Sequence, residues 1–418
     1  MDLSRSIPFV KHVNDLMSSW HIPGLGIAVI NGSEIFTQGF GHAVLGPQEI
    51  EVTFDTLFDC ASTSKSFTAA AVSLLIADDK QYPQVQWTPV SHLLPDDFVL
   101  PDAYATANAT VEDILSDRTG MPGHDYSYLG IKAKDSDTPK SVTRNFRNLP
   151  LSKSLRTYQY CNMMFTAATY LVQPSAVHAA GQDYRFAKPY TWRDGKYQDS
   201  VANYAKWVRA MMHRLDPISE ETYSQLDKPR IVSNPDANED GDLAPFTSHR
   251  LCALGWETEF YRGHKIVRHD GLVSGFGSLI LFVPDQRFGI VVFGNAGTAN
   301  DVSFVLAMEL LDLLLGVPEA DRVNWAQRAE IDRETDKENE EENKNGTLYI
   351  DGTDRSMAFT ITLEHVCDDQ NFLAHFIDDE GADSPMKAQF RIENANVTAL
   401  GLALAEELGD SLIWFEKQ

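Results

Sequence analysis

The stretch that decides the fold is Phe58-Asp59-Cys60-Ala61-Ser62-Thr63-Ser64-Lys65-Ser66-Phe67, which continues into an alanine-rich run without proline that ends at Ala77. A short apolar segment, a turn of small residues and a helix-forming run in this order predict that Ser62 lies where a loop becomes a helix. If the helix begins at Ser62, the side chains of Ser62 and Lys65 lie on one face, within contact distance. The sequence therefore predicts a serine and a lysine held together at a helix amino terminus.

This pair is suited to nucleophilic catalysis. A serine hydroxyl becomes a good nucleophile when a base accepts its proton, and a lysine can be that base if burial or a nearby positive charge lowers its pKa. The dipole at a helix amino terminus acts in the same direction. A helix cap beside a solvated lysine is the alternative interpretation, because Ser-x-x-Lys occurs by chance, as in Ser384-Pro385-Met386-Lys387.

Two further motifs follow in the chain. Tyr160-Cys161-Asn162 begins 98 residues after Ser62, and His269-Asp270-Gly271 begins about 110 residues after Tyr160. Tyrosine and histidine can transfer protons, and asparagine can hold a polar substrate group. Each motif alone has a structural alternative: a core tyrosine, a helix-capping asparagine and a loop histidine. With the serine and lysine, they predict a serine hydrolase or acyl transferase.

With these three motifs in this order, the chain resembles the serine β-lactamase and penicillin-binding-protein superfamily, in particular its class C β-lactamase-like esterases and peptidases. The nucleophile segment, residues 115–122, Gly255-Trp256 and residues 271–277 are also similar to that family. The resemblance covers residues 9–315. It implies an α/β fold of the α+β sandwich kind, with an antiparallel sheet flanked by helices and a mostly helical subdomain.

The resemblance also implies catalytic roles. Ser62 is the nucleophile, and Tyr160 takes or relays its proton while Lys65 holds the phenol as phenolate. A nearby ammonium favours the phenolate, which is why this pairing works. Asn162 is expected to hydrogen-bond Lys65 and a substrate oxygen. His269 stands where the family frequently has lysine, so the substrate carboxylate site lacks an obligatory positive charge and strict β-lactamase activity is not expected.

The oxyanion hole implied by the resemblance uses the backbone N–H groups of Ser62 and Leu272. Such a hole requires two donors about 3 Å from the developing charge. Gly271 and Gly275 are expected to let the strand approach the substrate closely. Asp270 and Gly271 are assigned, with Leu272, to this oxyanion and substrate-binding side of the site.

Charge and composition restrict the partners. The 418 residues are 43% hydrophobic and carry a formal net charge of −25, which repels nucleic acid and anionic membranes. Residues 1–8 lack the features of a signal peptide, and no run of about 18 apolar residues follows. We therefore expect a cytoplasmic protein with a small-molecule ester or amide substrate and no nucleic-acid or membrane partner. The cysteines lack metal-ligand spacing, so reduced thiols and no metal or cofactor are expected; they are Cys60, Cys161, Cys252 and Cys367.

Sequence patterns predict one sheet assembled from both ends of the main domain. A β-hairpin is predicted over 26–37, with its turn at Asn31-Gly32, and strands are predicted over 277–283 and 288–293. Apolar periodicity predicts helices at 9–20, 67–77, 201–214 and 302–315.

The chain is predicted to divide at an acidic segment. Residues 1–325 form the β-lactamase-like hydrolase domain, 326–346 an acidic solvated linker, and 347–418 a small β-rich domain. Short strands are predicted at 347–350, 358–363, 371–377, 387–392 and 411–415. The last domain resembles the lipocalin-like carboxy-terminal domain of some related peptidases, which implies a role in assembly of a homo-oligomer or at the active-site entrance.

The chain departs from the family after Asn162. A long helical region with Gly-x-x-x-x-x-Phe and an Ala-Gly-Gly-type turn are missing, and residues 173–190 replace them. The pocket is therefore expected to be more open, differently lidded or completed by another subunit. The leading hypothesis is a metal-free hydrolase that cleaves an ester or amide through an acyl-Ser62 intermediate. Acyl transfer to an alcohol or amine, lactone rearrangement as in natural-product biosynthesis, and a catalytically impaired binding module are the alternatives.

Overall fold

The computed structural model describes residues 7–77, 88–125, 137–179, 191–193, 196–237, 243–273, 275–340, 348–351, 359–367, 371–378, 383–393, 396–404 and 411–416. The chain forms two compact units. Unit 1 consists of Met1–Ala77 and Asp183–Arg333, and unit 2 of Asp78–Gln182 and Glu334–Gln418. The helices in chain order are α1 Ile7–Ser19, α2 Lys65–Ala77, α3 Val90–Leu93, α4 Ala103–Asn108, α5 Val111–Leu115, α6 Pro139–Asn145, α7 Asn162–Ala179, α8 Val201–His213, α9 Glu220–Leu226, α10 Ala299–Leu314 and α11 Trp325–Glu340. None of the helices within these ranges is long and apolar enough to span a bilayer.

Unit 1 is organised around an antiparallel sheet of nine strands in the order β3-β2-β1-β12-β11-β10-β9-β8-β7, beside a second sheet in the order β4-β6-β5. The strands are β1 Gly24–Asn31, β2 Glu34–Val44, β3 Ile50–Glu51, β4 Phe58–Asp59, β5 Thr191–Arg193, β6 Lys196–Asp199, β7 Ile231–Val232, β8 Leu251–Cys252, β9 Glu257–Tyr261, β10 His264–Val273, β11 Phe276–Val283 and β12 Phe288–Gly294. This arrangement confirms the predicted antiparallel sheet with flanking helices.

The two ends of unit 1 meet in the middle of the large sheet. Strand β1 is buried along almost its whole length and pairs with β12, with Leu25 opposite Gly294. The predicted hairpin joins β1 to β2, with Asn31 opposite Glu34 and Gly32 at a φ of 62° in the turn. A left-handed φ favours glycine, so the Asn-Gly dipeptide fixes the register of the hairpin.

Helices cover both faces of this sheet. On one face, α1 and α10 pack against the strands in a core that includes Trp20, Leu281 and Leu306. On the other face lies α8, whose Tyr204 ring centroid is 5.3 Å from that of Phe293 in an edge-on contact. Because both faces are covered by apolar side chains, β10, β11 and β12 form a rigid support for any residue at their edges.

The helical part of unit 2 contains α3 to α7. Helix α5 begins with a capping box in which the Thr110 side chain accepts the N–H of Asp113 and the Asp113 carboxylate accepts the N–H of Thr110. Arg118 donates to Asp113 at 2.7 Å and to Glu112 at 3.1 Å. These buried carboxylates are therefore paired, and they hold the turn that follows the helix.

The carboxy-terminal part of unit 2 is an antiparallel meander of six strands in chain order. The strands are β13 Leu348–Asp351, β14 Phe359–Cys367, β15 Asn371–Asp378, β16 Asp383–Glu393, β17 Asn396–Leu402 and β18 Ile413–Glu416. Five of them overlap the strands predicted from sequence. Strand β17 was missed because Ala399 and Gly401 have low β propensity.

The acidic segment, predicted as a solvated linker, contains a helix that was not predicted. It is helical from Trp325 to Glu340, and the Trp325 side chain is buried in the core of unit 1. Glutamate, lysine, arginine and glutamine are all good helix formers, so a lack of apolar residues excludes burial of a segment but does not exclude a helix. Division of the chain into residues 1–325, 326–346 and 347–418 stays a prediction.

Candidate active site

The nucleophile segment begins with a 3-10 turn. Residues Ala61–Ser64 form this turn and α2 begins at Lys65, so Ser62 lies where a loop becomes a helix, as predicted, although the first turn is 3-10 and the α-helix starts three residues later. Side chains three residues apart eclipse each other in a 3-10 helix, which brings the pair closer than an α-helix would. The Lys65 Nζ donates to Ser62 Oγ at 2.9 Å. Lys65 is only 6% exposed, which contradicts the alternative of a solvated lysine.

Contacts from distant parts of unit 1 hold this turn. The carbonyl of Cys60 accepts hydrogen bonds from Thr63 Oγ1 at 2.6 Å and from Ser278 Oγ at 3.0 Å. The Tyr204 hydroxyl donates to the carbonyl of Thr63 at 2.6 Å. Ala61 has a φ of 45°, a strained conformation for a residue with a Cβ atom. The turn that carries Ser62 is therefore held by the hydroxyl of its own Thr63 and by contacts from β11 and α8.

Sequence reasoning missed Ser278 and Tyr204. Ser278 had a usable signal, since it is a polar residue in the otherwise apolar run of 277–283. A buried hydroxyl in a strand needs a hydrogen-bond partner, and that requirement marks it as a residue with a specific contact. Tyr204 had no such signal, because an aromatic residue on the apolar face of α8 is typical of a core position.

Strand β10 lies directly against the nucleophile turn at Gly271. A Cβ atom added to Gly271 would lie 2.9 Å from the backbone nitrogen of Ser62, 2.9 Å from the carbonyl oxygen of Cys60 and 2.4 Å from Ser278 Oγ. Only glycine fits such an approach. The next residue on the strand is Leu272, whose side chain is 58% exposed.

His269 lies on β10 two residues before Gly271, so its side chain is on the same side of the strand. Its side chain is buried, and Nδ1 donates to the backbone carbonyl of Asp270 at 2.6 Å, which leaves Nε2 as the acceptor of the neutral ring. Burial, followed by the positive charge of Lys65, lowers the pKa of His269 to about 4. His269 is therefore neutral near pH 7. It lies within a paired strand, so the alternative of a loop histidine was wrong.

Asp270 lies on the opposite face of β10, since side chains alternate along a strand. It lines a cavity of about 210 Å³ together with Arg268, and their closest charged atoms are 4.0 Å apart. Burial would raise the pKa of Asp270, but the positive charge of Arg268 outweighs this effect and holds the pKa below its usual range. The assignment of Asp270 to substrate binding stays a prediction.

Tyr160 and Asn162 lie at the start of α7, in unit 2. The backbone N–H groups on either side of Tyr160 are both held by Asp117: Gln159 donates to its carbonyl at 2.8 Å and Cys161 donates to its carboxylate at 3.1 Å. Asn162 is the first residue of the helix and its Nδ2 donates to Asp125 at 2.9 Å. The side chain thus acts as a donor here, which differs from a helix cap that accepts backbone N–H groups.

The cysteines near the proposed site are packing residues. Cys60, Cys161 and Cys252 are buried and form no disulfide among the described residues. Burial raises the pKa of the Cys161 thiol, which donates to the carbonyl of Pro122 at 3.3 Å. A thiol protonated over the whole physiological range is a poor nucleophile.

The structure thus brings Ser62, Lys65, His269 and Gly271 together in unit 1 and places Tyr160 and Asn162 in unit 2. A common site for the two sets stays a prediction. Residues 180–190, which were predicted to open one wall of the pocket, lie outside the described residues; α7 itself continues to Ala179.

Known proteins resemble the chain at three levels. The family model described as Beta-lactamase matches residues 9–185. The unguisins hydrolase of Aspergillus campestris is 34% identical over 365 residues, which cover 76% of this chain and 67% of that protein. The octameric penicillin-binding protein homologue from Pyrococcus abyssi superposes with a TM-score of 0.59 at 18% identity, covering 96% of this chain and 98% of that chain. The D-amino acid amidase from Ochrobactrum anthropi SV3 gives a TM-score of 0.51 at 18% identity, covering 69% and 93%.

These findings agree with the geometry of the nucleophile turn. The two solved structures establish the fold, and the relative named as a hydrolase supports a hydrolase in general. The relative's match spans about two thirds of its own length. The chain belongs to the β-lactamase and penicillin-binding-protein superfamily.

Proposed function

We propose that this protein is a serine hydrolase that cleaves an amide or ester bond through an acyl-Ser62 intermediate. The observation that carries the proposal is the hydrogen bond of 2.9 Å between the buried Lys65 Nζ and Ser62 Oγ. A lysine in this position can take the hydroxyl proton as the oxygen attacks, once its own amine is neutral. The pair is therefore arranged as a nucleophile and its base.

The proposed reaction has two steps. Ser62 Oγ attacks the substrate carbonyl, and its proton passes to Lys65 and Tyr160, which return a proton to the departing amine or alcohol. The negative oxygen of the tetrahedral intermediate accepts hydrogen bonds from the N–H groups of Ser62 and Leu272. Water then attacks the acyl-serine with the same groups as base, releasing the acid and restoring Ser62. The roles of Tyr160 and Asn162 in this reaction are proposed from the order of the motifs in the sequence.

The neutral His269 suggests which substrates fit. A neutral imidazole with Nε2 as acceptor offers a hydrogen bond, and it does not offer the fixed positive charge that a substrate carboxylate would require. We therefore propose substrates without an obligatory carboxylate beside the scissile bond. The name of the D-amino acid amidase favours an amide bond, and unguisins and D-amino acid amides are the first compounds to test.

Labelling of the whole protein tests this proposal. Wild-type protein is expected to gain mass from a fluorophosphonate probe, and Ser62→Ala is expected to lose both labelling and turnover. Ser384→Ala is the matched control, because Ser384 and Lys387 also have the Ser-x-x-Lys spacing but lie on strand β16 and not in a helical turn. Failure of the wild-type protein to react with fluorophosphonate, penicillin and every substrate tested would contradict the proposal.

Product analysis separates hydrolysis from its alternatives. With added alcohol or amine acceptors, hydrolysis predicts the free acid as the product. An ester or amide of the acceptor would instead establish acyl transfer, and a rearranged lactone would establish isomerisation. Binding of a substrate without any covalent adduct would favour an impaired binding module.

We also propose that the chain self-associates through residues 347–418. The support is the meander of β13 to β18 and the similarity in fold to the Pyrococcus abyssi penicillin-binding protein homologue, which is octameric. Light scattering coupled to size-exclusion chromatography tests this proposal. A mass equal to one chain of 46.7 kDa over a range of concentrations would contradict it.

A further inference from the structure

The proposed oxyanion hole is assembled from two distant segments. Ser62 and Leu272 are about 210 residues apart in sequence, and each contributes one backbone N–H group. Hydrogen-bond strength at a developing charge depends on donors placed within a few tenths of an ångström of 3 Å. Some contact must therefore fix the separation of the nucleophile turn from strand β10.

Ser278 makes that contact. It lies on β11 directly opposite Gly271 in the antiparallel pairing, and its side chain is completely buried. Its Oγ is 3.0 Å from the carbonyl oxygen of Cys60, the residue just before the Ala61–Ser64 turn, and 3.3 Å from the carbonyl oxygen of Gly271, on strand β10. One hydroxyl thus touches both segments that supply the oxyanion donors.

The competition for its single proton favours Cys60. The Gly271 carbonyl has a second donor, Asn300 Nδ2, at 3.2 Å, and the same amide also donates to the Ser278 carbonyl at 3.2 Å. The shorter of the two Ser278 contacts is the one to Cys60. The hydroxyl of Ser278 therefore ties the nucleophile turn to the sheet, while Asn300 braces the two strands from the start of α10.

We propose that Ser278 is a positioning residue that sets the separation of the two oxyanion donors by binding the carbonyl of Cys60. The inference rests on the proposed acyl-serine mechanism. Loss of the hydroxyl leaves the close packing of Gly271 in place but releases the turn from β11. The Ser62 N–H then moves relative to the Leu272 N–H. The transition state loses more stabilisation by this movement than the bound substrate does.

Kinetics of Ser278→Ala test the inference. The acylation rate and kcat are expected to fall about 10- to 100-fold, less than the loss seen when one oxyanion donor is removed. KM is expected to change by less than about threefold, since the ground-state carbonyl uses these donors less. Ser303→Ala is the matched control, because Ser303 is also completely buried and, among the described residues, its hydroxyl donates only to the Ala299 carbonyl within α10. It is expected to keep the wild-type rate per folded molecule.

A thiono ester provides the readout that a merely structural role would not move. Its developing charge lies on sulfur, so it uses a hole shaped for oxygen poorly, and the ratio of ester rate to thiono-ester rate reports on oxyanion stabilisation. Ser278→Ala is expected to lower this ratio. An unchanged ratio with an unchanged kcat overturns the inference, and so does an equal loss of kcat in Ser303→Ala.

Two further results keep the outcomes distinct. If Ser278→Ala does not fold, Ser278→Cys decides in its place, because a thiol is similar in shape but a weak donor, and a wild-type kcat in that variant overturns the inference. If the wild-type protein reacts with neither fluorophosphonate nor penicillin nor any substrate tested, the proposed function itself fails. Labelling of the wild-type protein at the same rate as Ser278→Ala overturns only the role of Ser278.

Discussion

Replacing Gly271 with alanine would force the oxyanion strand away from the nucleophile turn. The new Cβ atom would lie 2.4 Å from Ser278 Oγ and 2.9 Å from the backbone nitrogen of Ser62, whereas ordinary contacts begin near 3.4 Å. The strand must therefore move by about 1 Å, and a misplacement of about 1 Å can cost about 100-fold in rate. We expect kcat of Gly271→Ala to fall about 100-fold, equivalent to about 2.7 kcal/mol of transition-state stabilisation.

The assay compares this variant with a second tight glycine. Gly39 lies on β2, which pairs with β1 and is separated from β10 by three strands. A Cβ atom on Gly39 would lie 2.1 Å from the carbonyl oxygen of Val52. Gly39→Ala is expected to lower the melting temperature without changing the rate of fluorophosphonate labelling per folded molecule. A Gly271→Ala protein that retains kcat within about threefold of wild type would refute the reasoning that β10 forms one side of the oxyanion hole.

Three other predictions follow from the charges and contacts of the site and the core. His269 has a pKa near 6.5 in the unfolded chain and about 4 in the folded chain, so the free energy of unfolding decreases by up to about 3 kcal/mol as the pH is lowered from 6.5 to 4. His269→Gln is expected to remove this part of the pH dependence in urea unfolding. The hydrogen bond from His12 to Glu309, at 2.7 Å, outweighs burial and raises the pKa of His12, so its stabilisation is present below pH 6.5 and is lost as the pH rises through the raised pKa; unfolding of His12→Gln should lack that loss. Asp117→Ala removes the carboxylate that accepts the Cys161 N–H, next to Tyr160, while the bond from Gln159 to the backbone carbonyl of residue 117 remains; kcat should fall about tenfold, whereas an unchanged kcat would separate Tyr160 from the reaction.

The fold was largely predictable because its signals are local. The Asn31-Gly32 turn between two apolar strands specifies the hairpin, and the continuous apolar run of β12 predicts a buried central strand. The helix from Trp325 to Glu340 was not predicted, since a run of charged residues is compatible with both a helix and an unstructured chain. Only the burial of Trp325 in the core shows where that helix begins.

The site was predictable where its residues are neighbours in sequence. Ser62 and Lys65 are three residues apart, so any helical turn brings them together, although the 3-10 form was not foreseen. That form depends on Ser278 and Tyr204, which reach the turn from β11 and α8. No local pattern encodes a contact between residues more than 140 positions apart, and the stability of the turn is therefore a property of the assembled sheet.

Trapping the acyl-enzyme is the direct test of whether Ser62 carries the acyl group during turnover. Wild-type protein is mixed with an amide or ester that it consumes, quenched in acid, digested and examined by mass spectrometry for the peptide that carries the acyl group. We expect an acyl group on Ser62 that forms and decays with turnover and does not accumulate in Lys65→Met. Turnover with no adduct on Ser62, or with an adduct on another residue, would contradict it.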